Sequence, residues 1–262
     1  MNEQTYDRTT QDVSNILALE HVNVTVPDQT MALLFYVSGL GFTRDPQVVS
    51  GHVGVVVPDL DALQRRLQRV QDKLAGTAFT WSATDGYVAV TCPWGNRLRC
   101  YAPGPQFSDM TLGIPYVEVL VKPGTAADIG QFYQEVMQAP ATVTAGEQGT
   151  VTRVRVGRSQ TLIFRETAED IPAYDGHHIA VYLANFSGPH TFLKRRNLIT
   201  QESDAHQYRF QAIVSPETGR TLCEIEHEVR SLYHPMYERE LVNRNAAQNI
   251  RAYARGRDAF SA

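Results

Sequence analysis

The hydrophobic pattern of this chain repeats itself. A strand-like run, Leu17-Ala18-Leu19-Glu20-His21-Val22-Asn23-Val24-Thr25-Val26, stops at Pro27-Asp28 and gives way to a short amphipathic stretch. That stretch closes on Phe35-Tyr36 and then Leu40-Gly41-Phe42. Gly113 to Val121 runs in the same way into Gln131-Phe132-Tyr133. Two further copies lack the Phe-Tyr pair, one from His52 to Leu60 and one from His178 to Phe186. Such repetition predicts a fold assembled from copies of one strand–helix unit.

Leu60, Leu63, Leu67, Val70 and Leu74 share one face at helical spacing, so Asp59 to Leu74 reads as a helix. Thr125 to Met137 is its counterpart in the second half, and Ser187 to Arg196 a shorter one. Asp59 and Ser187 are expected N-caps. Ala102 to Gly113, rich in Pro, Gly and Ser, reads as a linker. The expected organisation is a polar arm (1–16), a first domain (17–104), a linker (105–112), a second domain (113–230) and an extension (231–262).

The halves are unequal. His21 to His52 spans 52 − 21 = 31 positions, whereas Tyr116 to His178 spans 178 − 116 = 62. The longer interval holds three strands, including Val151 to Val156 and Gln160 to Arg165; the shorter has only Thr43 to Ser50. Either about two strands are lost from the first module or a segment is absent. Lost strands expose pairing edges, so the second half is expected to be the better scaffold for a site.

Three pieces carry a family likeness: the strand–Phe-Tyr–Leu-Gly-Phe run, the Gly51-His52 to Pro58-Asp59 run, and the turn Cys92-Pro93-Trp94-Gly95-Asn96. Weaker copies stand at Gly176-His177-His178 and Ser215-Pro216-Glu217-Thr218-Gly219. From Leu17 to Glu228 the chain resembles the vicinal oxygen chelate superfamily, which includes glyoxalase I, extradiol dioxygenases and bleomycin-resistance proteins. The resemblance implies an α+β fold of tandem βαβββ modules forming two glyoxalase-like domains, the N-terminal one shortened. It also implies a divalent metal on the concave sheet face, with ligands from two first strands and a closing strand. Fold alone does not fix the chemistry.

Strand parity shows which side chains share that face. With Val117, Val119 and Val121 on the apolar side, Tyr116, Glu118 and Leu120 point the other way. With Ile179, Val181 and Leu183 apolar, His178, Ala180 and Tyr182 are opposite. On the closing strand Cys223 and Ile225 oppose Glu224 and Glu226. By the resemblance, His21, His52, Tyr116 and His178 fall at ligand positions, and the carboxylate of the closing strand falls on Glu224. The corresponding position in the first half is Arg99, which cannot ligate a cation but suits a substrate carboxylate. The expected metal ligands are therefore His178, Glu224, Glu226 and Glu118, with Tyr116, His177 and Tyr182 as catalytic candidates. Glu166 is a further carboxylate near such sites. Fe(II) is the first expectation for the ion, with Mn, Zn or Ni also compatible. The bland readings are a solvated strand face for Glu224 and Glu226 and a structural hydrogen bond for His178.

Composition narrows the classes. At 43% hydrophobic and 20% charged the 262 residues are ordinary for a globular chain. A net charge of −4 argues against nucleic-acid binding. No run approaches the roughly 18 apolar residues of a membrane span, and the polar start is unlike a signal peptide. Three cysteines make no disulfide framework, so a cytoplasmic location is expected. The expected function is a metal-dependent enzyme acting on a small oxygenated, aromatic substrate, of extradiol-dioxygenase type. A glyoxalase-like isomerase or lyase, or a metal-free binding protein, is the alternative; a small-molecule partner and a homodimer are expected.

Overall fold

The computed structural model describes residues 14–23, 29–40, 50–147 and 149–238. Most of the expected N-terminal arm, the Pro27-Asp28 and Gly41-Phe42 motifs, Thr43 to Val49 and the basic tail after Glu238 lie outside the described residues.

The first unit contributes β1 (Ile16–Asn23) and α1 (Gln29–Ala32), continued by a π-helical turn (Leu33–Gly39). Three complete βαβββ units follow. The second is β2 (Gly51–Val56), α2 (Leu60–Gln71), β3 (Thr80–Ala83), β4 (Val88–Thr91) and β5 (Arg97–Tyr101). The third is β6 (Tyr116–Val121), α3 (Ala126–Glu135), β7 (Ala141–Gly146), β8 (Gly149–Arg155) and β9 (Thr161–Glu166). The fourth is β10 (His178–Leu183), α4 (Ser187–Arg195), β11 (Ile199–Asp204), β12 (Gln207–Val214) and β13 (Thr221–Ser231). The architecture is the α+β arrangement of tandem βαβββ units that the repeats predict.

The helices form where apolar spacing demands them. In α2, Leu63, Leu67 and Val70 are buried, and the Ala62 N–H donates to the Asp59 carboxylate at 2.8 Å, the expected N-cap. Ser187 is instead the first residue of α4; the Gly188 N–H donates to Asn185 Oδ1 at 3.1 Å, so Asn185 does the capping. In α3, Ile129, Phe132 and Tyr133 are fully buried. Among the described residues no helix is long and apolar enough to cross a membrane.

Neither sheet is confined to one side of the 102–113 segment. The five-stranded sheet runs β1-β10-β13-β12-β11, and the eight-stranded sheet runs β3-β4-β5-β2-β6-β9-β8-β7. Thus β1 pairs antiparallel with β10, and β2 pairs antiparallel with β6. The β2–β6 crossing is close at Gly51, where a Cβ would stand 1.9 Å from the Glu118 carbonyl oxygen. Its φ of +139° is open to glycine. Val53, Val55, Val117, Val119, Val121, Ile179, Val181 and Leu183 belong to the buried core. The alternate residues of these strands face away from it, as parity requires, and they build two polar surfaces, one on each sheet.

Candidate metal centre

The exchange of strands decides which polar residues meet. On the five-stranded sheet β1 lies beside β10, and β10 lies parallel to β13. His21 stands opposite Ala180, Ala180 opposite Glu228, and His178 opposite Glu226. His21 and His178 meet edge to face with ring centroids 5.6 Å apart. His178 Nε2 lies 3.7 Å from Glu228 Oε2. One donor atom each from His21, His178 and Glu228 falls within 4.8 Å of the others.

The local electrostatics set the charge states of these groups. Burial, with His21 and Arg209 nearby, pushes His178 down to about 4, so its imidazole is neutral at physiological pH and keeps a lone pair. Glu228 is 3% exposed. Burial alone would raise it, but Arg230 and Arg209 outweigh that and hold it below the ordinary carboxylate range. Arg209 reaches Oε2, and Arg230 donates to Oε1 through Nε at 2.7 Å and through a second nitrogen. Arg230 also pairs with Glu20 and donates to the Tyr182 hydroxyl at 3.2 Å.

The donor set fits a divalent ion. Metal–nitrogen and metal–oxygen bonds of about 2.0–2.2 Å put neighbouring donors roughly 3–4 Å apart, which the 3.7 Å between His178 and Glu228 matches. A carboxylate offers about four lone-pair positions, so Oε2, the oxygen facing His178, retains capacity beside Arg209. Two histidines and one carboxylate on one face are the ligand type of Fe(II) sites that keep open positions.

The expected residues divide between the two sheets. His178 is in this cluster. Glu226 is on the same strand face but is bound by Arg209 at 2.5 Å. Glu224 is exposed and accepts from Gln211 at 2.8 Å. Tyr182 is buried at the Arg230 end, its ring against Tyr237 and His234. His177 is buried with Nδ1 2.8 Å from Asp175, and its Nε2 has no partner among the described residues. His21, at a ligand position by the resemblance, joins His178 through the β1–β10 pairing, and the β10–β13 pairing brings Glu228 beside them. The signal for Glu228 was available, since it continues the 224/226 alternation by one step.

Tyr116 and Glu118 sit on the eight-stranded sheet with His52. His52 Nδ1 is 3.3 Å from Glu118 Oε1 and Nε2 is 3.1 Å from the Tyr116 hydroxyl. Arg165 donates to Glu118 Oε2 at 3.0 Å. Burial pushes Glu118 up, but the bonds from His52 and Arg165 prevail and hold it near 2. Burial and Tyr101 keep the Tyr116 phenol well above its ordinary range, so it stays protonated. The Tyr116 ring lies on Gly54, where a Cβ would come within 2.4 Å of it. Glu166 is used structurally: its oxygens accept from the Ala126 N–H at the start of α3 (3.0 Å) and from Thr150 N–H (3.1 Å).

Solved structures with this arrangement of units decide the fold. A Bacillus subtilis protein assigned as a dioxygenase superposes with a TM-score of 0.51 at 15% identity, over 84% of this chain and 86% of its own. Two glyoxalase I variants from Zea mays superpose with TM-scores of 0.51 and 0.52 at 12% and 11% identity, each over 81% of this chain. They are covered over 92% and 93% of their own lengths. The chain has the vicinal oxygen chelate fold. No protein-family model matches it, and no curated protein matches it in sequence. In the vicinal oxygen chelate fold of this chain, the two polar sheet faces are unequal: one carries His21, His178 and Glu228, the other replaces such a set with His52, Tyr116, Glu118 and arginines.

Proposed function

We propose that this chain is a metal-dependent enzyme of vicinal oxygen chelate type, with the ion held by His21, His178 and Glu228. The convergence of two histidines and one buried carboxylate from three strands carries this reading. A divalent ion there supplies Lewis acidity to adjacent substrate oxygens and, as Fe(II), reactivity toward dioxygen. Extradiol-type cleavage of a small aromatic diol suits that donor set better than a carboxylate-rich site would.

The chain's own residues have definite tasks. Arg209 and Arg230 fix the Glu228 carboxylate and remove its freedom to rotate. Arg230 orients the Tyr182 hydroxyl, a proton donor at the edge of the cluster. Burial keeps His178 unprotonated, so it competes for a cation without first losing a proton.

The arginine clamp on Glu228 favours a second reading, a metal-free binding protein of the bleomycin-resistance type, because two guanidinium groups already balance the carboxylate's charge. Metal content of untagged protein by plasma mass spectrometry separates the two. About one first-row ion per chain is expected, lost in His178→Ala and retained in His52→Ala. Retention in His178→Ala would overturn the assigned centre, and a metal-free wild type would favour the second reading.

A further inference from the structure

The eight-stranded sheet carries a half-open cavity of about 480 Å³ away from the proposed metal centre. That volume is within the usual range for small-molecule sites. Its wall includes His52, Tyr87, Arg97, Arg99, Leu120 and Arg165.

The charges in this wall are settled unevenly. Glu118 is neutralised by Arg165 and hydrogen-bonded to His52, and Glu166 is taken by backbone N–H groups. Glu169 lies exposed in the lining. Arg97 donates to the Gly51 carbonyl at 3.2 Å, and Arg99 rests 5.3 Å from the centre of the Tyr87 ring. Neither arginine has a carboxylate partner among the described residues. A guanidinium carries five N–H donors, and Arg99 brings them to the cavity wall.

The hydrogen bonds here run continuously from one side chain to the next. With the His52 Nδ1 proton on Glu118, Nε2 accepts from the Tyr116 hydroxyl. Tyr116 is also bonded to the Tyr101 hydroxyl at 2.9 Å, and Arg99 stands beside this tyrosine pair. The Tyr87 ring and the tyrosine pair therefore hold the Arg99 head at the cavity wall. A fixed guanidinium fork matches an oxyanion in the plane of the fork. Tyr87 and Leu120 beside it offer apolar surface to an organic body rather than to a bare ion.

We propose that this cavity is a second, metal-free site that binds a small organic carboxylate, its oxyanion on Arg99 with Arg97 adjacent and its body against Tyr87 and Leu120. The proposal stands independently of the metal centre. Benzoate is the probe, titrated calorimetrically and followed by proton NMR of the His52 ring, with the signal assigned through His52→Gln. Wild type and His178→Ala should bind benzoate equally and shift the His52 signal. Arg99→Gln should bind at least tenfold more weakly while retaining the wild-type melting temperature, with Arg99→Lys between the two. Inorganic phosphate should bind at least tenfold more weakly than benzoate. Absence of benzoate binding, binding indifferent to Arg99→Gln, binding lost in His178→Ala, or phosphate binding as tightly would each overturn it.

Discussion

Replacing Glu118 by Gln tests the electrostatic account of the eight-stranded sheet. The Glu118 side chain is 10% exposed and holds both His52 and Arg165. Its fall from the ordinary 4.5 to about 2 corresponds to roughly 3 kcal/mol at about 1.4 kcal/mol per tenfold change in acidity. Arg165 is 36% exposed, so water screens part of that pair, and about 1–2 kcal/mol is the expected net loss at pH 7. Because the folded value lies below the unfolded one, the contribution is complete above about pH 4.5 and disappears as pH falls toward 2. Urea unfolding of wild type and Glu118→Gln from pH 7 to pH 2.5 reads the difference directly. The gap should narrow steadily across the acid range. A gap that stays constant with pH would refute the assignment of the stabilisation to the ionised carboxylate.

The buried Tyr133 hydroxyl lies 2.7 Å from His227 Nε2, so Tyr133→Phe leaves that nitrogen unpaired. It should cost about 1–3 kcal/mol, seen as a lower urea midpoint. Burial holds His227 down at about 4, below its unfolded value, so it opposes folding progressively as pH falls from about 6.5 to 4. His227→Gln should flatten wild-type stability in that window, and an unchanged slope would contradict this account. Gly54→Ala drives a methyl into the Tyr116 ring and should cost about 1–3 kcal/mol, with a displaced His52 NMR signal. Asp59→Ala should lower stability by about 1 kcal/mol in thermal melts through loss of the α2 cap.

Much of the architecture is legible in the local pattern. The period-two alternation of Val117, Val119 and Val121 against Tyr116, Glu118 and Leu120 sorts inward from outward side chains before any pairing is known. The Leu60 to Leu74 spacing and the Asp59 cap place α2, and the repeated units place three complete modules. These readings depend on interactions within a few residues, which a sequence displays directly.

Which modules share a sheet is not local. The short first unit directs attention to the second half, yet its strand supplies His21 by pairing with β10. Tyr116 and Glu118, equally polar and equally well placed by parity, go with β2 to the other sheet. Register makes the final choice among three carboxylates spaced two apart on β13: Glu224 reaches solvent, Glu226 meets Arg209, and Glu228 faces the histidines. Faces, helices and modules are written in the residue order, because they follow from backbone periodicity. The candidate centre is not, because strand pairing and register are set by how distant edges and buried charges are jointly satisfied.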